Sequence, residues 1–316
     1  MAVYVTRRLL ALVPTLFFAS VIVFVTVRLI PGDVIDMMLS QSDSSNALSR
    51  SQLMAALGLD RPIWEQYLRW IAGIFQGDFG KSLWSGTAVT EQLAARLPVS
   101  MELGALSMLC GLTIAVPIGV YSAVRQDTAG DYVTRSVAIL MLSVPSFWIG
   151  TMVMVFPSIW WGWSPPVEYT RFWDDPLQNL KHLLLPAAVL GTALSALTMR
   201  MTRTMMLEVL RQDYIRTAWA KGLDEPLVVL RHALRNALIP VVTLIGLQAP
   251  LLIGGAVIIE QIFVIPGMGL LLIEAVGQRD YPVITGLFLV FGVSVMLINL
   301  LVDLSYGMLD PRVRHR

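Results

Sequence analysis

Long uncharged apolar runs alternate with polar segments along the whole of this chain. Six runs carry no charged residue: Leu9–Val27, Leu103–Val124, Val137–Phe156, Leu183–Met199, Ala237–Ile259 and Val283–Val302. A helix rises about 1.5 Å per residue, so about 20 apolar residues cross the hydrocarbon of a bilayer. The pattern predicts six transmembrane helices and an all-α integral membrane protein. Gly104, Gly111, Pro117 and Gly119 lie inside the second run, and Pro250, Gly254 and Gly255 inside the fifth. Small residues let helices approach closely, and proline is tolerated where neighbours re-satisfy the backbone. Ser143-Val144-Pro145-Ser146 breaks the third run. Arg7 and Arg8 before the first run also fit a signal peptide. That run exceeds an h-region of about 7–15 residues, and no small-x-small site follows closely. The expectation is a retained first helix, with Arg28 snorkelling at its far end.

The polar segments set the orientation. Arg211–Pro240 is the longest charged segment between two apolar runs. With its approach it carries Arg200, Arg203, Arg211, Arg216, Lys221, Arg231 and Arg235 against Glu208, Asp213, Asp224 and Glu225. That basic excess predicts the cytoplasmic face. From Pro31 to about Pro98 the balance reverses: Asp33, Asp36, Asp43, Asp60, Glu65, Asp78 and Glu91 outnumber Arg50, Arg61, Arg69, Lys81 and Arg96. This segment is predicted to be extracytoplasmic. Within it, Ile63, Tyr67, Trp70 and Ile71 recur at helical spacing and predict a short helix lying on the membrane surface. Trp160, Trp161, Trp163 and Trp173 read as an aromatic belt at the outer interface. Arg125–Arg135 is a short cytoplasmic turn, and the basic tail places both termini in the cytoplasm.

Inside Arg211–Pro240, Asp213–Lys221 has a helix pattern. Ile215 and Ala218 fall on one face, with Trp219 and Gly222 one turn on. Gly222 suits the C′ position of that helix. Asp224 suits the N-cap of a second helix, with Pro226 in its first turn. A helix–glycine–helix of this length fits a knob offered to a partner protein better than a plain connector, which is usually shorter.

Composition agrees with the membrane reading. The 316 residues are 56% hydrophobic and 14% charged, where soluble chains carry about 25% charged residues. The net charge of +1 gives no global basic field for nucleic acid. The single cysteine, Cys110, cannot form an intrachain disulfide. His182, His232 and His315 are far apart, with no Cys or carboxylate cluster at metal spacing. Gly80-Lys81-Ser82 resembles the end of a P-loop, but that motif needs a glycine where Phe75 stands. The sequence shows no ATPase of its own, no metal site and no catalytic constellation. Glu102, Glu260 and Asp303 sit near predicted span ends, where structural capping fits better than the mid-span ionisable groups of a coupled carrier.

Several motifs carry a family resemblance. Asp213-Tyr214-Ile215-Arg216-Thr217-Ala218-Trp219-Ala220-Lys221-Gly222-Leu223, followed by Arg231 through Pro240, is similar to the "EAA" loop of ABC-importer permeases in the dipeptide/oligopeptide/nickel branch. It resembles the first of that branch's two permease subunits. The general pattern has Glu where Arg216 stands and Pro where Arg235 stands, departures shared by the peptide branch. Arg28-Leu29-Ile30-Pro31-Gly32-Asp33, Leu57-Gly58-Leu59-Asp60-Arg61-Pro62, Gln66-Tyr67 and Gly77-Asp78-Phe79-Gly80-Lys81-Ser82 resemble the same family. So do Phe263-Val264-Ile265-Pro266-Gly267-Met268-Gly269, Arg279-Asp280-Tyr281-Pro282 and the tail Tyr306–Arg316.

The resemblance implies a type I ABC importer permease fold in a bacterial or archaeal cytoplasmic membrane. Residues 1–98 would hold the first transmembrane helix and the extracytoplasmic segment. Residues 99–307 would form a five-helix core with a cytoplasmic coupling loop at 206–236, and 308–316 a cytoplasmic tail. The implied partners are a second, homologous permease, two ATPase subunits that bind ATP and Mg, and an extracytoplasmic solute-binding protein. No cofactor is expected on this chain. Asp213, Tyr214, Arg216, Thr217, Ala218, Lys221, Gly222 and Leu223 would dock the ATPase. In that reading Thr217, Ala218 and Leu223 pack into its cleft, Lys221 and Arg216 meet acidic groups, and a side chain at Gly222 would clash or force a positive φ. Ser146, Gln248 and Asn299 either line the path or bond neighbouring helices. Peptides are the implied cargo. Nickel chelates, glutathione, opines and oligosaccharides are carried by relatives, and a stand-alone secondary carrier is the competing class.

Overall fold

A computed structural model describes residues 2–29, 35, 50–56, 58–166 and 168–309, of which 2–9, 11, 53, 56, 251, 255 and 303–309 are described by their backbone alone. The Pro31-Gly32-Asp33 signature, Asp36, Asp43, Leu57 and the tail Asp310–Arg316 lie outside the described residues, as does the side chain of Asp303. Among the described residues the architecture is helical, with one isolated bridge between Lys81 and Ala88. In chain order the helices are α1 (Ala2–Arg28), α2 (Arg50–Ala56), α3 (Ile63–Phe75), α4 (Val89–Val124), α5 (Ala129–Ser143) and α6 (Ser146–Trp161). They continue as α7 (Pro176–Leu210), α8 (Asp213–Ala220) and α9 (Glu225–Leu227), which runs through a π-helical turn (Val228–Ala233) into α10 (Leu234–Phe263). The last two are α11 (Met268–Gln278) and α12 (Tyr281–Leu309).

The long helices overrun the apolar runs that predict them. α4 begins at Val89 and passes through Pro98, in a stretch whose polarity marked it as outside the span. α7 extends the fourth run at both ends. At its start Asp175 accepts the N–H groups of Leu177 and Gln178 at 3.0 Å, and Pro176 sits in the first turn. Such caps let a helix continue past the hydrophobic run that stabilises it. Four stretches are long and apolar enough to cross a membrane, or up to six if each bent pair counts as one span. α5 and α6 are such a pair. Pro145 cannot donate a backbone hydrogen bond and drives Val144 into extended geometry, and the axes turn by 93° at this break. α11 falls between the fifth and sixth apolar runs, in a segment for which the sequence pattern predicts no helix.

The chain divides into two compact units: Ser100–Gly269 with the stretch from Leu297, and Ala2–Val99 with Leu270–Met296. In the first unit α7 is the core helix. Its apolar window is 61% buried, against 28–35% for the other three candidate spans. α5, α6 and α10 pack on it or on one another. α4 meets it where a Cβ on Gly191 would come 2.6 Å from the Ser107 carbonyl oxygen, a contact that only glycine permits. Glu260 is fully buried and caps α11: it accepts from the Ser100 hydroxyl at 2.6 Å and from the Gly269 N–H at 2.7 Å, while Ser100 Oγ accepts from the Met268 N–H. The capping role expected at this position is thus the one it plays. The Tyr169 hydroxyl donates to Glu102 at 3.3 Å, and burial with that carboxylate pushes the phenol up to about 12. Trp160, Trp161, Trp163 and Trp173 are all exposed, as interfacial aromatics are.

The second unit is joined by aromatic and polar contacts. Tyr67 and Trp70 of α3 stand 5.3 and 5.4 Å, ring to ring, from Phe24 of α1, and Tyr67 Oη shares a hydrogen bond with Ser20. The Ser82 hydroxyl donates to Asp280 at 2.5 Å, the Leu83 N–H adds to the same carboxylate, and the Trp84 indole donates to the Gln278 carbonyl. Gly80-Lys81-Ser82 therefore has a structural role, leading into the turn at 83–85 that the Lys81–Ala88 bridge closes. The expected apolar face of α3 is divided. Tyr67 and Trp70 turn to α1, whereas Ile63, Trp64, Leu68 and Phe75 remain exposed.

Candidate docking site

α7 ends at Leu210, and Arg211 and Gln212 turn the chain into α8. Asp213 in its first turn suits the positive end of the helix dipole. Gln212 occupies the cap position without a side-chain bond. The far end closes as a Schellman motif. Lys221 caps, Gly222 takes φ +77°, the Gly222 N–H reaches the Trp219 carbonyl at 2.9 Å, and the Leu223 N–H reaches the Ala218 carbonyl at 3.4 Å. Gly222 is thus the C′ residue its sequence context predicts. A Cβ there would meet nothing within 4 Å, so the expected clash is absent within this chain and the left-handed φ alone selects glycine. Asp224 precedes α9 with extended geometry, but its side chain caps nothing.

One face of α8 is sewn into the protein. Ile215 and Ala218 are 0% and 7% exposed, packed with Ala123 of α4, Met206 of α7, Val228, Val229 and Ala233 of the π turn and Ala237 of α10. Leu223 completes this cluster as the apolar partner that accompanies a Schellman end. Ala218 and Leu223, expected to enter a partner's cleft, pack here against their own protein and seat α8 on it. Trp219, expected beside Ile215 and Ala218, is exposed instead. Asn236 of α10 donates to the Tyr214 hydroxyl at 2.8 Å, a second tie.

The opposite face is free and polar. Asp213, Arg216, Thr217, Trp219, Ala220 and Lys221 are exposed, as is Gly222. Arg216 pairs with Asp213 at 3.3 Å, one helical turn away, in full solvent. Such a pair contributes little to stability and leaves both charges available. The surface chemistry is that of a small rigid knob with mixed charge and one exposed indole.

Behind the knob lies a buried ion pair that sequence reasoning did not single out. Asp131 of α5 is fully buried and accepts from Arg203 of α7 at 2.9 Å (Nε) and 2.7 Å (Nη2), from the Ser122 hydroxyl of α4, and from the Asp127 N–H. A bidentate guanidinium with extra donors satisfies the carboxylate fully, as burial requires. It clamps α4, α5 and α7, of which α4 and α7 also build the seat of α8. The available signal was Thr128-Ala129-Gly130-Asp131, an N-cap pattern in which Thr128 does accept from the Asp131 N–H.

Of the three path candidates, Gln248 is 6% exposed and donates to Thr198 Oγ1 at 3.2 Å, so it bonds α10 to α7. Ser146 is half-buried at the start of α6, and Asn299 is exposed on α12. The described residues contain no group of three or more His, Cys, Asp or Glu that could hold a metal ion.

Comparison with known proteins adds the identity of this architecture. Residues 115–315 match the family model "Binding-protein-dependent transport system inner membrane component", and residues 1–104 match the model of its N-terminal membrane component. The chain is 40% identical over 336 residues to the dipeptide transport system permease protein DppB of Escherichia coli (strain K12), covering 99% of each. It is 41% identical over 318 residues to the oligopeptide transport system permease protein AppB of Bacillus subtilis (strain 168), covering 100% of each. Among solved structures, a chain from the crystal structure of an amino acid ABC transporter with histidines aligns at TM-score 0.51 and 12% identity, over 69% of this chain and 94% of that one. At that identity the likeness concerns the fold alone. The chain belongs to the binding-protein-dependent transport system inner membrane components: it is a transport subunit and not an enzyme, the multi-pass permease of an ABC importer in the bacterial cytoplasmic membrane.

Proposed function

We propose that this permease forms half of a peptide translocation path and that α8 is its coupling element. Full-length identity of 38–41% to permeases named for dipeptide, oligopeptide and di/tripeptide transport supports the cargo. In this reading α1, α4, the broken pair α5–α6, α7, α10 and α12 are six spans, and both termini are cytoplasmic. A second permease completes the path, two ATPases bind ATP and Mg, and a solute-binding protein delivers cargo from outside. Ser146 and Asn299 stand as candidates for the path.

The observation that carries the mechanism is the mounting of α8. Its apolar face is locked to α4, α7 and α10, and its polar face is free. Movement of an ATPase holding the exposed face is then transmitted to the spans without slack. ATP binding favours the ATPase arrangement that α8 fits in the outward-open state, and coupling follows from that differential contact. Asp213, Tyr214, Arg216, Thr217, Lys221 and Gly222 present the surface, while Ala218 and Leu223 hold it in place.

The test is Thr217→Trp together with Lys221→Glu, both at exposed positions, in the reconstituted complex. Abundance should be normal. Uptake of a labelled dipeptide should fall by about tenfold or more, the loss of one or two interface anchors. Stimulation of ATP hydrolysis by loaded binding protein should disappear. Undiminished coupled uptake would remove α8 from the mechanism. Uptake of a nickel chelate or an oligosaccharide in place of peptide would redirect the cargo.

A further inference from the structure

The second unit contains a cavity of about 270 Å³ whose lining includes Phe24, Arg28, Arg69, Trp70, Asp78 and Tyr281. Its chemistry is uneven. Two guanidiniums face one carboxylate, and Asp78 already accepts the Gly80 N–H at 2.8 Å. Arg69 shares Glu65 with Arg61. Arg28 is half-buried, lies 3.5 Å over the Phe24 ring, and donates to the Gln66 side chain at 3.0 Å and weakly to the Phe24 carbonyl. Among the described residues it has no carboxylate within ion-pair distance. The Trp70 indole N–H is buried in the same lining with no acceptor among the described residues.

A half-buried guanidinium with no carboxylate beside it among the described residues, and a buried N–H with no acceptor among them, each carry a cost. A single oxyanion removes both, because Arg presents a planar fork of donors and an indole adds one more. The walls explain which oxyanion. α1 exposes Phe17, Phe18, Ile22 and Val25, and α3 exposes Ile63, Trp64, Leu68 and Phe75. These are surfaces for acyl chains and for the interface where headgroups lie. We propose that this cavity binds the phosphate of an anionic phospholipid, held by Arg28 and the Trp70 indole, with its acyl chains along the apolar sides of α1 and α3.

The test is native mass spectrometry of the full-length chain, purified in detergent and titrated with phosphatidylglycerol. Wild type should retain a lipid that Arg28→Gln binds about tenfold more weakly or worse, the loss of a charged hydrogen-bonded group. Arg125→Gln, an exposed arginine outside the cavity, should retain it unchanged. Equal retention by wild type and a monodisperse Arg28→Gln overturns the proposal. Trp70→Phe keeps the ring and removes the N–H. It should weaken retention several-fold, and it serves if Arg28→Gln fails to fold. Full retention in Trp70→Phe then overturns the proposal. If inorganic phosphate alone displaces the lipid completely, the site takes a free anion and the lipid assignment falls.

Discussion

α3 and α8 are both short amphipathic helices, and their apolar residues meet different fates. α8 has eight residues and buries Ile215 and Ala218 in a seat built from three long helices and the π turn. α3 has thirteen residues and buries none completely. It spends Tyr67 and Trp70 on Phe24 and leaves Ile63, Trp64, Leu68 and Phe75 exposed. Apolar periodicity thus marks a helix that lies against something but does not say what. For α8 the cover is the protein itself, which suits a part that must transmit force. For α3 those four side chains find no cover among the described residues, the pattern expected of a helix lying on a membrane surface.

The largest expected effect separates the two helices directly. Ala218→Asp places a carboxylate in an apolar seat without a partner and should cost several kcal/mol. Little monodisperse protein should survive extraction, as read by fluorescence-detected size exclusion. Leu68→Asp on α3 should extract normally. Equal loss in both variants would mean that α3 is covered by protein after all.

Next is the clamp behind α8. Arg203→Met strands Asp131 and should destabilise by about 3–5 kcal/mol, the usual cost of breaking a buried pair on one side. The thermal midpoint in detergent should drop clearly. Adding Asp131→Leu should restore much of it, because the cost lies in the unpaired charge. No recovery in the double variant would show that the three helices need the pair itself.

A smaller effect is expected at Gly222. Ala there meets open space but must adopt φ +77°, at a cost of about 1–2 kcal/mol. A small drop in midpoint, with coupled ATP hydrolysis reduced less than by Thr217→Trp with Lys221→Glu, would place the strain in the turn alone. A severe loss of coupling from this one methyl would instead place a partner against Gly222. Smallest of all, Ile63→Ser with Leu68→Ser should change stability within about 0.5 kcal/mol for each site, since both side chains are more than half exposed. A large destabilisation would erase the contrast between the helices.

Much of this was written in the sequence, for a plain reason. A span in hydrocarbon must be apolar and internally hydrogen-bonded, so composition alone locates long helices, and the Pro145 break is equally local. The end of α8 was legible because a left-handed turn needs glycine, and Gly222 stands where the apolar pattern stops. Membership of the permease family was legible too, in short motifs spread along the chain.

What the tertiary structure alone decided is which side of each helix is occupied. Ala218 and Trp219 are neighbours in sequence, yet the first is buried and the second exposed, because only one of them faces Met206 and the π turn. Gln248 could have lined a path, and it bonds Thr198 because α7 passes beside it. Asp131 and Arg203 are 72 residues apart, each ordinary in its own segment, and their pairing exists only where α5 and α7 are adjacent. The grouping of Leu270–Met296 with the first 99 residues likewise has no local sign, since non-local contacts create it. Local rules set where helices run and stop. Burial, pairing and exposure depend on neighbours that lie far away in the chain, and these determined the seat of α8, the clamp behind it and the cavity beside α3.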